Sequence, residues 1–67
     1  MSIKIQFNGE EREVSSETVS LLLTELGLAD KKVAVELNKE IVKRDTFDDT
    51  QIHKGDKIEI VQFVGGG

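Results

Sequence analysis

The stretch VQFVGGG closes the 67-residue sequence and holds its least ordinary chemistry. Gly65, Gly66 and Gly67 carry no side chains, so they can thread a channel too narrow for other residues and take backbone angles closed to them. The group they would deliver is the α-carboxylate of Gly67. A carboxylate is a poor acyl electrophile at neutral pH and must first become a mixed anhydride, most simply an acyl adenylate made from ATP. Once adenylated it accepts a nucleophile, including persulfide sulfur, and can become a thiocarboxylate. The chain has no cysteine, which removes thiolate nucleophiles, disulfides and thiolate metal sites together. A reactive sulfur would therefore sit on the backbone terminus. A frayed end or a cloning remnant is the plain alternative, but the glycines continue the last strand with no Ser-rich spacer.

The other candidates are weaker. His53 is the single histidine; it sits beside a turn and lacks the serine and acid of a triad. Asp48-Asp49, followed by Thr50, read as turn residues without the spacing of a calcium loop, so no metal site is expected. Glu10-Glu11 border a hairpin turn. Lys43-Arg44 could equally meet an acidic partner or solubilise a loop. Gly9, Gly27 and Gly55 have turn or cap positions and form no GxGxxG, so any ATP is expected on a partner, with no cofactor bound here.

These groups must be positioned by a small set of elements. Ile3, Ile5 and Phe7 alternate with Lys4 and Gln6 as in a half-buried strand. Asn8-Gly9 supplies the positive-φ pair of a tight hairpin, and a return strand follows from about Glu11 to Val14, with Arg12 and Val14 on one face. Val19, Leu22, Leu23 and Leu26 then form the stripe of a helix of two to three turns. Thr18 or Ser16 starts it and Gly27 ends it. Val33, Val35 and Leu37 mark a third strand, Asn38-Lys39 a turn, and Ile41-Val42 a short return strand. Lys43 to Thr50 lack periodicity and read as a loop anchored by Phe47 and Ile52. Lys54-Gly55 turn the chain into a final strand, Lys57 to Phe63.

The order ββαβββ predicts an α+β fold of the β-grasp type: a mixed sheet of four to five strands with one helix packed on one face. The first and last strands are expected side by side at its centre. Residues 1–64 would form the domain and 65–67 a flexible tail. At this length a core is marginal and leaves no interior room for an enclosed substrate cavity, which favours a binding or carrier module over an enzyme.

Nine basic and thirteen acidic residues give a net charge of −4, and the dispersed cations disfavour nucleic acid as a partner. The start lacks a signal-peptide pattern, no stretch is long enough to span a membrane, and the absence of cysteine fits the cytoplasm.

The final strand is apolar on two faces. Ile58 and Ile60 share one, and Val61 and Phe63 the other. If the isoleucines pack under the helix, Val61 and Phe63 face away from it, covered either by a loop or by a partner that docks immediately before the glycines. Val61, Phe63 and Val64 are the candidate docking residues.

With its NG turn, TVSLLLTEL, VAVELNKEIVKRDTF and IHKGDKIEIVQFVGGG, the whole chain resembles the ThiS family of sulfur carriers in thiamine biosynthesis, which are ubiquitin-like β-grasp domains. ELNKEIVKR, KGDKIEIV and the terminal glycines are its most specific parts. The resemblance implies that Gly67 is adenylated by an E1-like adenylyltransferase of the ThiF type and converted to a thiocarboxylate. The sulfur would come from a donor such as a cysteine desulfurase. The loaded tail would then dock into a ThiG-type thiazole synthase. The MoaD type of molybdopterin synthase subunit shares fold and tail chemistry, but such chains tend to be longer and to carry proline near the tail. A tRNA-thiolation or protein-conjugating relative, and a ubiquitin-like interaction domain without tail chemistry, are the remaining alternatives.

Overall fold

The computed structural model describes residues 2–63. Strand β1 (Ile3–Phe7) turns through Asn8 and Gly9, at φ 50° and 84°, into β2 (Glu10–Val14). Both central turn residues have positive φ, so the right-handed twist of the two strands is matched. Helix α1 (Val19–Glu25), β3 (Val33–Leu37), β4 (Glu40–Val42), a 3₁₀ turn (Arg44–Thr46) and β5 (Lys57–Gln62) follow. One five-stranded sheet results, in the order β2-β1-β5-β3-β4. Strand β5 lies parallel to β1 and antiparallel to β3, so the first and last strands are neighbours, as the element order predicts.

Period-2 alternation sends one row of each strand toward the helix. Ile5, Val14, Val33, Val35, Ile58 and Ile60 from the sheet meet Val19, Leu22 and Leu23 of α1, and Ile52 closes the cluster from the loop. Leu26, the fourth residue of the stripe, is half-buried against it.

Seven residues are too few for a helix to persist alone, and α1 is held at both ends. The hydroxyl of Thr18 accepts the Leu21 N–H, while the carbonyls of Thr50 and Phe47 accept those of Val19 and Ser20. The otherwise orphaned first-turn donors are thus met largely by a loop thirty residues further along the chain. At the other end Leu28 N–H bonds Leu23 O and Gly27 N–H bonds Thr24 O, with Gly27 at φ 76°. That pair is the Schellman closure for which glycine is suited.

Thr18 takes the capping role, and Ser16 has a different one. Buried Ser16 donates its hydroxyl to Oε1 of Glu25, which also accepts the Ser15 N–H. The Ser16 bond, aided by the Ser15 amide and Arg12 against a smaller desolvation effect, holds the Glu25 carboxyl below its ordinary value of 4.5. A carboxylate with a depressed folded-state pKa adds stability above the unfolded value, lost as pH falls through the folded one. Glu25→Gln should therefore lower the urea midpoint at neutral pH and leave it close to wild type in acid. A difference that persists unchanged at acid pH would show that Glu25 acts through packing.

Two expectations need correction. Lys43 to Thr50 is not a plain loop: it contains the 3₁₀ turn, stabilised by Thr46 Oγ1 on Lys43 O and Thr50 Oγ1 on Thr46 O, each at 2.8 Å. Three residues are too short to leave a periodic signal. The second strand begins at Glu10 and the last ends at Gln62, although the Phe63 N–H still bonds Lys32 O at 3.0 Å.

Candidate functional site

Strand β5 is the element on which the tail would depend, and it sits third of five, gripped on both sides. Asn8 does more than turn the first hairpin. Its side-chain oxygen accepts the Ile60 N–H at 2.8 Å and its amide donates to Ile60 O at 3.2 Å. Its own N–H bonds Ile58 O. The side chain thus imitates one more strand residue and continues the β1–β5 pairing beyond the end of β1. On the other side Asn38, at φ 52°, accepts the Lys57 N–H on its side-chain oxygen at 2.9 Å and donates to Asp56. Both asparagines can hold positive φ because their short polar side chains tolerate it.

Ile58 and Ile60 are buried under the helix, and their neighbours alternate outward. Val61 and Phe63 remain 60% and 57% exposed. Among the described residues no loop covers them, so the open-face expectation holds. Val64, Gly65, Gly66 and Gly67 lie outside the described residues.

The outer face includes a residue that the sequence reading did not single out. Ile41 is 74% exposed and pairs with Glu36, while its neighbour Val42 pairs with inward-facing Val35. Two adjacent apolar residues in a strand must point to opposite faces, so the Ile41-Val42 pair was the available signal. Glu36 lies opposite both Ile41 on β4 and Glu59 on β5, and Val61 lies opposite Ala34 in the adjoining row. The site is therefore an exposed apolar area, Ile41, Val61 and Phe63, with two glutamates in its midst.

The remaining candidates are not part of this apolar area. His53 is exposed and its ring Nδ1 stands 3.9 Å from Asp56, whose carboxylate also accepts the His53 N–H. That is the arrangement of a turn. Asp48 and Asp49 continue the turn after the 3₁₀ segment, and Glu11 pairs with Lys4 at 3.4 Å. Arg44 borders a shallow groove with Lys31, Lys32 and Phe47. Among the described residues no group of three or more His, Asp or Glu side chains could hold a metal ion, and no helix is long and apolar enough to cross a membrane.

Comparison with known proteins connects this geometry to a family. A model described as the ThiS family matches residues 5–67. The chain is 52% identical over 66 residues to a protein named thiazole synthase from Paramagnetospirillum magneticum, covering 97% of this chain and 20% of that protein. A thiazole synthase from Magnetococcus marinus is 44% identical at the same coverage. The chain thus spans about a fifth of the length of these two relatives. It is also 38% identical to the sulfur carrier protein ThiS of Bacillus subtilis, covering 94% of this chain and 98% of that one. Among solved structures, the crystal structure of the thiamine biosynthesis protein ThiS from Geobacter metallireducens superposes with a TM-score of 0.82 at 36% identity. That superposition covers 97% of this chain and 100% of the other.

Proposed function

Since the chain belongs to the ThiS family, we propose that it is a sulfur carrier of thiamine biosynthesis, a protein cosubstrate whose reactive group is the α-carboxylate of Gly67. The observation that carries this reading is the exposed pair Val61 and Phe63 at the end of a firmly held central strand, four and two positions before the first of the glycines. A partner gripping that face would receive Gly65 and Gly66 as a slender arm.

A carboxylate oxygen of Gly67 attacks the α-phosphorus of ATP and pyrophosphate leaves, giving the acyl adenylate. A persulfide sulfur attacks the acyl carbon and AMP leaves, giving an acyl disulfide. A thiol then attacks the outer sulfur of the acyl disulfide and loses its proton, a new disulfide forms between thiol and sulfur donor, and the thiocarboxylate is left on Gly67. An E1-like adenylyltransferase of the ThiF type binds the ATP, a cysteine desulfurase supplies the persulfide, and a ThiG-type thiazole synthase accepts the sulfur, all in the cytoplasm. The match to relatives named thiazole synthase and ThiS favours thiazole over molybdopterin as the product.

The test is mass spectrometry of the C-terminal peptide after incubation with ATP, a sulfide source and the activating enzyme. Replacement of one Gly67 oxygen by sulfur is the expected result. A terminus that stays unchanged with every activating enzyme of the same organism would sink the proposal.

A further inference from the structure

Glu36 and Glu59 stand directly opposite each other in the antiparallel pairing of β3 with β5. Like charges in that relation destabilise a sheet. Among the described residues the ion pairs within 4.0 Å are Lys4 with Glu11 and His53 with Asp56, so neither glutamate has a described cation at that distance. Outward-facing Lys57 lies two residues from Glu59 along the same strand. A local rule broken in the middle of a sheet, without an evident gain inside the chain, points to a gain outside it.

The surroundings say of what kind. Ile41, directly opposite Glu36, is the most exposed of the large apolar side chains among the described residues, and Val61 follows Glu59 by two residues on the same face. A partner that covered these apolar groups would drive water from around the two carboxylates and strengthen their attraction for a cation. A guanidinium is planar, weakly hydrated and carries several donors in a fork, which suits two adjacent carboxylates better than a compact ammonium.

We propose that the sheet face formed by Ile41, Val61 and Phe63 docks on the thiazole synthase through an apolar surface bearing an arginine that seats between Glu36 and Glu59. This rests on the sulfur-carrier reading and adds to it the chemistry of the partner's surface. The two glutamates select for the partner's charge, and the apolar residues supply the area.

The experiment measures binding of the whole chain to the thiazole synthase of the same organism, by calorimetry at low and high salt. The double variant E36Q/E59Q keeps the shape and removes the charge. Its affinity at low salt is expected to fall about tenfold, with a weaker salt dependence, while its melting temperature rises because the repulsion is relieved. A role confined to folding would not move stability and binding in opposite directions. D48N/D49N, which removes the same charge from the turn after the 3₁₀ segment, should leave affinity unchanged. Equal affinity and salt dependence for the two double variants would overturn the proposal, as would a lowered melting temperature in E36Q/E59Q. If Val61→Asp abolishes binding while E36Q/E59Q does not, the glutamate proposal falls and the sulfur-carrier reading stands. If the wild-type chain neither gains sulfur nor binds the synthase, both fall.

Discussion

A chain lacking Gly66 and Gly67 is expected to keep its fold and its partners and to lose sulfur transfer. Strand β5 ends at Gln62, and the last described backbone bond is that from Phe63 to Lys32, so the deletion leaves every described backbone bond in place. It moves the terminal carboxylate back by two residues, about 7 Å of extended chain. Misplacing a reacting group by even 1 Å can cost about a hundredfold in rate, so sulfur loading should fall by at least about that factor. The shortened chain should still occupy the activating enzyme through Val61 and Phe63 and inhibit loading of the intact chain. Single-turnover thiocarboxylate formation, with the truncated chain as substrate and then as competitor, measures both. Loading at the intact rate would place the reactive group elsewhere. Loss of competition would mean that the glycines, not the sheet face, provide most of the grip.

Asn8→Ala is expected to be the most damaging single substitution outside the apolar core. It removes two bonds that join residues fifty-two positions apart and leaves the partly buried Ile60 N–H and C=O without those partners. Each such loss costs about 1–3 kcal/mol. Alanine must also take φ near 50°, which adds roughly 1 kcal/mol. A total of at least about 3 kcal/mol is a large share of a stability on the order of 5 kcal/mol for a domain of this size. At roughly 4–8 °C per kcal/mol, the melting temperature should fall by at least about 12 °C. Asn8→Gly separates the two causes, because glycine accepts the backbone angle and lacks the amide. It should recover about 1 kcal/mol in urea titrations and no more. An Asn8→Ala variant within about 0.5 kcal/mol of wild type, the range of ordinary surface changes, would show that the Ile60 bonds contribute little.

The elements were largely legible from local pattern. Alternation in Ile3-Ile5-Phe7 and Val33-Val35-Leu37, the Asn8-Gly9 turn and the leucine stripe each involve residues within a few positions of one another, and the structure bears them out. The open face at Val61 and Phe63 was legible for the same reason, since period-2 geometry puts them opposite Ile58 and Ile60. Ile41 was missed although its signal was present. The 3₁₀ turn at Arg44–Thr46 was not legible, because three residues hold no period.

The sequence by itself determined the kind of each main element, the side that each residue would face, and the chemistry open to a glycine-ended chain without a thiol. All of these follow from neighbouring residues or from composition. Only the tertiary structure decided that Asn8 and Asn38 clamp the last strand, that Phe47 and Thr50 carbonyls cap the helix, and that Glu36 meets Glu59 beside Ile41. Those relations join residues far apart in the chain. They depend on which strands become neighbours and in what register, and burial of the whole apolar face selects that arrangement rather than any local preference.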